Sequence, residues 1–428
     1  MIVPSGSGNL IRNTTYKVVL PFYLYAGIAY LAATVVLLFS TPVFTGHYFH
    51  PQIAAITHIM ALGWGTMIIL GAGHQLVPVL IEGKLFSNTL AYLSFVTAGA
   101  GIPLLVYSFY IFNMGWLAQT GAILINAAVL SFLVNIWVST ARSKADSVHA
   151  VFVFTATLWL FITTLIGVFL VYNFTRNILP ENSLYYLSLH AHIGIVGWFL
   201  LLVIGVASRL IPMFLISKYS HPKTLWIIYY LINAGLLAFI IIFFYGFSPA
   251  LYLMPVAAIA AALVLFARYC YRAYKQRIRK QTDEQVKISL LAVLMMLLPI
   301  LFLVVVITLL LVATNTRLVL AYGFSVFFGW LTAIVLGMTF KTLPFIVWNK
   351  VYHDKAGLGK TPNPKDLFSS RLFTVMGITY LAGFGLFIAG ILLANALLLR
   401  TAALLLLLTA IFYNKNVIKV LTHKPQPL

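Results

Sequence analysis

The sequence predicts an all-α bundle of twelve membrane-crossing helices, and three observations carry that expectation. First, 62% of the 428 residues are hydrophobic and only 8% charged, against roughly 25% charged in soluble domains. Second, twelve apolar stretches approach the about 20 residues that a spanning helix needs. Third, the basic residues gather on alternate connections. Of the 27 Lys and Arg, only Arg176, Arg317 and Arg400 fall on the other side, which is the positive-inside pattern of a polytopic membrane protein.

In chain order the stretches lie near 18–40, 51–80, 88–112, 117–140, 148–173, 184–216, 224–246, 250–272, 286–314, 318–348, 370–395 and 400–413. The first follows "MIVPSGSGNLIRNTTYKVVL", which lacks a short apolar core ending in a small-residue cleavage site, so it is expected to stay as a membrane helix. The eighth runs into the basic "ARYCYRAYKQRIRKQTDEQVK" (267–287), expected to lie against the anionic cytoplasmic leaflet. The longest polar connection, "NKVYHDKAGLGKTPNPKDLFS" (349–369), reads as a loop from its Gly and Pro. The last stretch looks short at its polar end. All of it, 1–428, is expected to be one membrane domain.

The net charge of +20 follows from this sidedness and does not call for nucleic acid. It places both termini in the cytoplasm, in the cell's inner (cytoplasmic) membrane. Cys270 is the single cysteine, which excludes an intramolecular disulfide and any cysteine-built zinc or iron–sulfur site. Neither a phosphate-binding Gly loop nor a Ser-His-Asp arrangement is visible.

One pattern occurs three times. From His58 the chain reads Gly63-Trp64, Gly71 and Pro78; from His192 it reads Gly197-Trp198, Gly205 and Pro212; from Phe324 it reads Gly329-Trp330, Gly337 and Pro344, all at identical offsets. Four stretches make each unit, so the chain reads as three four-helix repeats, approximately 18–140, 148–272 and 286–413, with the frame on the second, sixth and tenth helices. Small residues let such helices approach closely. The histidines are another matter, because Phe324 at the third copy means that packing accepts an aromatic there.

An intramembrane imidazole is a functional question by default. His58 and His192 stand at matching depth, about two turns below the outer surface at roughly 1.5 Å per residue. If the repeats pack around a pseudo-threefold axis, the two rings can face across one pocket, an arrangement suited to the axial positions of a haem iron. His190, in "HAH", points about 200° away from His192 and so serves a different compartment. A second cofactor, a haem propionate and a backbone carbonyl are its three candidate partners. His74 lies about 24 Å further along the second helix, where it is expected at the inner interface beside Arg209 and Lys341. A cofactor there would need a second ligand, with His149 the nearby candidate. His47 and His50 stand at the outer surface, wetted or sharing a metal. His221, His353 and His423 are expected in solvated cytoplasmic connections.

On these residues the chain resembles subunit I of the haem–copper oxidase superfamily, the catalytic subunit of cytochrome c oxidases and nitric oxide reductases. The resemblance covers the chain at the level of topology, and rests in its motifs on His58, His190-Ala191-His192 and the repeat frame. It implies haem b clasped by His58 and His192, with His190 open to a second haem iron, and electron transfer or O2/NO-related redox chemistry in a respiratory chain. The sequence also departs from the family. The seventh helix, "TLWIIYYLINAGLLAFIIIFF", has no histidine, so the family's active-site metal, copper or iron, loses its adjacent ligand pair and copper is not expected. The His-x-His falls on the sixth helix, where the family carries it on the tenth.

All seven acidic residues, Glu82, Asp146, Glu181, Asp283, Glu284, Asp354 and Asp366, fall in or beside loops, so no proton pumping is expected. No Cys-x-x-Cys-His exists for a fused cytochrome c domain. Electrons must therefore come from a separate cytochrome c, other respiratory-complex subunits or a quinol. Two rival readings stand beside the redox one: a haem-free transporter or channel on the same scaffold, and a gas-sensing or respiratory-complex assembly protein.

Overall fold

Among the described residues, twelve helices are long and apolar enough to cross a membrane: α1 Tyr16–Phe39, α2 Pro51–Leu80, α3 Asn88–Tyr110, α4 Trp116–Ala141, α5 Val148–Arg176, α6 Leu187–Phe214, α7 Pro222–Tyr245, α8 Pro249–Lys275, α9 Glu284–Leu309, α10 Thr316–Tyr352, α11 Ser370–Leu393 and α12 Ala396–Leu421. The protein is a multi-pass helical membrane protein. The computed structural model describes residues 15–143, 147–278, 280–310, 315–355 and 361–425. Among them the only strand-like pairing is an isolated bridge between Ser217 and Arg277. The expectations placed on the N-terminal leader, on Asp146, on Arg279 within the basic run and on 356–360 of the polar connection lie outside the described residues.

Eleven helices fall within a few residues of their expected spans. α12 is longer than the sequence implied, because the polar residues that looked like its end are structural partners. Asn414 donates to the carbonyls of Gly27 and Ala410, each within 2.9 Å. Asn416 exchanges two hydrogen bonds with the Ser369 backbone. Asn135 of α4 makes the same exchange with Ser87, the N-cap of α3. Buried amides with both partners supplied are not loop signals inside a membrane.

α2, α6 and α10 are the inner helices. Within the best 18-residue window of each, 67%, 78% and 78% of residues are buried, against 50% or less in every other span. The outer helices turn residues such as Leu301, Phe244 and Ile378 outward, the lipid-facing surface of the bundle. Each inner helix is clasped by the first helix of its group at a frame glycine. A Cβ on Gly71 would overlap Phe22 of α1, one on Gly205 would overlap Phe152 of α5, and one on Gly337 would overlap Ser289 of α9.

Each inner helix also opens into a π-helical turn, at Ile59–Thr66, Ile193–Leu200 and Ser325–Leu331. In α2 and α6 that turn begins at the residue after the frame histidine. Such turns leave carbonyls in need of other donors. In α10, where Gly329 leaves helical geometry altogether, the Gly329 carbonyl accepts from Tyr380 Oη at 2.7 Å and the Phe327 carbonyl from Thr332 Oγ1 at 2.7 Å. The inner helices are tied to one another by tryptophans. Trp64 Nε1 donates to Thr332 Oγ1 at 3.2 Å and Trp198 Nε1 to Thr66 Oγ1 at 3.1 Å.

Candidate functional site

The frame histidines lie at the end of the bundle away from most of the Lys and Arg. His58 closes the first helical segment of α2, and its Nδ1 sits 2.7 Å from the carbonyl of Ala54, one turn earlier. His192 repeats this in α6, with Nδ1 2.7 Å from the carbonyl of Ser188. A carbonyl only accepts, so each Nδ1 carries the proton and each Nε2 presents a lone pair. A carbonyl holding Nδ1–H in this way fixes the ring and leaves Nε2 able to ligate a metal or accept a hydrogen bond.

The ring opposite His58 is that of His190. Their centroids are 6.4 Å apart and their planes 19° from parallel. His192 faces the other way, towards Tyr322 of α10 at 5.8 Å and 18°, with Phe239 of α7 at 5.0 Å. Two residues apart on one helix, His190 and His192 thus look into different seams, as their helical offset requires. Among the described residues no ring contact joins His58 to His192, the pair set opposite each other by the sequence. The two share only the wall of a larger cavity.

Two cavities meet at His58. The smaller, about 190 Å³, has His58, His190, Phe109, Thr163 and Gly167 in its wall. The larger, about 670 Å³, has His58, His192, Tyr322 and residues of α7 to α10 in its wall. Ala54, Thr57, Leu187, Ala191 and Ile195 line both, so the spaces adjoin. No Asp, Glu, Lys or Arg lines either.

Two supports here were not legible in the sequence. Phe109 of α3 stacks on His58 at 4.4 Å and 22°. Gly167 of α5 makes room for His190, whose Cε1 lies 3.2 Å from where a Cβ would stand. His190 Nδ1 is buried without a hydrogen bond in usual geometry. Tyr322 occupies in α10 the offset that His190 occupies in α6, a correspondence the repeat frame contained but a search for histidines passed over.

The third frame position is filled by aromatic rings. Phe324 stacks on Phe328 at 4.6 Å and on Phe387 at 4.2 Å, and meets Phe44 and Phe384. Its ring forms part of the wall of the larger cavity and, unlike His58, faces no imidazole.

The remaining histidines sort differently from expectation in two cases. His74 is not an interfacial group: it is fully buried between Phe22 and Phe132, because α1 and α4 close over it. His423 is not simply solvated, since its Nε2 lies 2.9 Å from Tyr352 Oη. His149 Nδ1 is 3.0 Å from the Gly205 carbonyl and 3.1 Å from Ser208 Oγ, which ties it to α6. His50 caps α2 by accepting from Gln52 N and also lines the larger cavity. His47 accepts from Phe49 N, and His221 caps α7. Of the acidic residues, Asp283 pairs with Lys341 and Glu284 with Lys287 at the start of α9. Glu82, Glu181, Asp354 and Asp366 lie outside the spans.

Among the described residues no group of three His, Cys, Asp or Glu converges on a metal-sized point. No protein-family model matches the chain, and no curated protein matches it.

Proposed function

We propose that this chain is a haem b protein of the cytoplasmic membrane, similar to haem–copper oxidase subunit I in plan, that transfers electrons through a bis-histidine iron. In this reading three four-helix units surround the inner helices, and both termini lie in the cytoplasm. The observation that carries it is the His58–His190 pair. With a metal–nitrogen bond of about 2 Å and about 1.1 Å from nitrogen to ring centre, two imidazoles on one metal stand with centroids about 6 Å apart. The observed 6.4 Å fits that spacing.

The chain's own groups have distinct tasks in this reading. Ala54 holds the proton on His58 Nδ1 and so leaves Nε2 for iron. Phe109 fixes the ring face, and Gly167 leaves the space that His190 needs. The apolar walls exclude water, and because they carry no charged side chain, haem propionates must end at the aqueous edge. A haem held there by His58 and His190 would supply a one-electron couple, and one held by a single histidine would offer a site for O2 or NO. Without an adjacent histidine pair on α7, copper has no ligand set. Without acidic residues at mid-depth, the protein has no carboxylate relay for pumping.

The test is the absorption spectrum of purified protein, oxidised against dithionite-reduced. A sharp b-type α-band is expected, lost in His58→Ala and in His190→Ala. If His192→Ala removes the band while His190→Ala spares it, the α6 ligand is His192, the partner expected from the sequence. Colourless, metal-free protein overturns the proposal and leaves the transporter reading.

A further inference from the structure

The three seams between inner helices are not closed alike. Trp198 ties α6 to α2 through Thr66, and Trp64 ties α2 to α10 through Thr332. The same offsets put Trp330 of α10 against position 200 of α6, where the chain has Leu200 and no hydroxyl. Both Trp330 and Leu200 line the larger cavity. The periphery repeats the difference. α4 packs closely on α5 and α12 on α1, whereas α8 meets α9 somewhat less closely. α9 is also the least buried span, at 28% of its window. The cavity reaches this loose seam from inside, with Val256 and Ile259 of α8 and Ile300 and Leu303 of α9 in its wall.

We infer that this cavity binds a membrane quinone, with the ring oxygens at His192 and Tyr322 and the isoprenoid tail lying out between α8 and α9. At about 670 Å³ it falls within the roughly 300–1,000 Å³ usual for small-molecule sites. Its wall has no charged side chain, so the ligand is neutral. Among the polar groups of its wall, the facing pair offers one lone pair, at His192 Nε2, and one hydroxyl, at Tyr322 Oη, which donates as well as accepts. A quinone carbonyl accepts from the tyrosine, and a quinol hydroxyl donates to the imidazole. The spacing excludes two alternatives between these rings. An iron clasped by imidazole and phenolate holds the ring centres about 8 Å apart. A flat ring inserted face-on needs about 7 Å. The observed 5.8 Å permits neither, so the two side chains meet a ligand at their edges.

The inference rests on the reading above for the use of the site, since a quinol there is the electron donor, but binding is measurable without haem. The full-length protein in lipid nanodiscs is titrated with a short-tailed benzoquinone, following quenching of tryptophan fluorescence, to which Trp330 at the cavity wall contributes. Saturable binding is expected, weakened tenfold or more in Tyr322→Phe and in His192→Ala. Ile300→Trp, which fills the seam without touching the polar pair, is expected to abolish it. His190→Ala, whose side chain lines only the smaller cavity, is expected to lose the haem band and keep the quinone, so the two proposals fail separately. Linear, non-saturating partitioning, or equal affinity in Tyr322→Phe and Ile300→Trp, overturns the inference. So does a second haem per chain that disappears in His192→Ala.

Discussion

One helical frame carries His58 in α2 and Phe324 in α10, and the two positions have opposite surroundings. His58 faces another imidazole across a cavity; Phe324 is stacked among four phenyl rings. Both helices enter a π-helical turn just beyond, and both are clasped at the same glycine offset. The frame therefore tolerates either residue, and the imidazole is not an architectural requirement. The scaffold stays constant between the two helices, and what differs is what fills the seam.

The largest expected effect comes from breaking the scaffold that the two regions share. Gly71→Leu places a Cβ 2.5 Å from Phe22 Cβ, and the Val19 carbonyl stands 3.4 Å away. Neither is a flexible side-chain end, so α1 must move off α2. We expect little folded protein, read as loss of the monodisperse peak in detergent. Overpacking of this kind costs about 1–3 kcal/mol, occasionally more, and here it separates two whole helices. Normal yield and melting temperature would refute the clasp.

Next comes an exchange of contents between regions. Phe324→His installs an imidazole among the stacked phenyl rings. It removes a ring from two close stacks, each worth about 0.5–1.5 kcal/mol, and buries a polar ring without a designed partner. We expect a lower melting temperature and no new Soret absorbance. A gained haem band would mean that the seams differ less than their packing implies. A smaller change, Gly167→Ala, leaves the fold and presses on His190 through the 3.2 Å approach to its Cε1. The expected result is a shifted α-band with unchanged melting; an unchanged band argues against His190 as ligand.

Why some of this was legible in the sequence follows from the same contrast. Span number, the three inner helices and the places of His58, His190 and His192 on them came from hydropathy and spacing, because those signals are local. Which ring faces His58 is set by the rotation of α6 about its own axis, which no local pattern fixes. His190 and His192 differ by two residues, and only packing against α2 and α10 assigns each to a seam. The supports supplied by Phe109 and Gly167 lie on other helices and have no marker in the frame. The end of α12 was misjudged because Asn414 and Asn416 read as polar loop residues until Gly27 and Ser369 appear as their partners. His74 was misplaced for a related reason: depth along the helix follows from the sequence, but enclosure by Phe22 and Phe132 does not.

The smallest effect sharpens the comparison between tied and untied seams. Interhelical hydrogen bonds in membranes average about 0.6 kcal/mol and reach about 1.7 kcal/mol. Thr66→Val deletes the acceptor of Trp198 Nε1 at nearly constant shape, so a loss of that order is expected in unfolding by a denaturing detergent. Thr332→Val should cost more, because Thr332 Oγ1 accepts from Trp64 Nε1 and also donates to the Phe327 carbonyl in the π-helical turn. Leu200→Val, at the equivalent place in the untied seam, removes no hydrogen bond and only enlarges a cavity that already exists. It should therefore cost least of the three while leaving quinone affinity intact or raised. If Leu200→Val destabilises as much as Thr332→Val, the seam between α6 and α10 is held by packing as firmly as the others. The loose passage between α8 and α9 would then have no counterpart at the centre of the bundle.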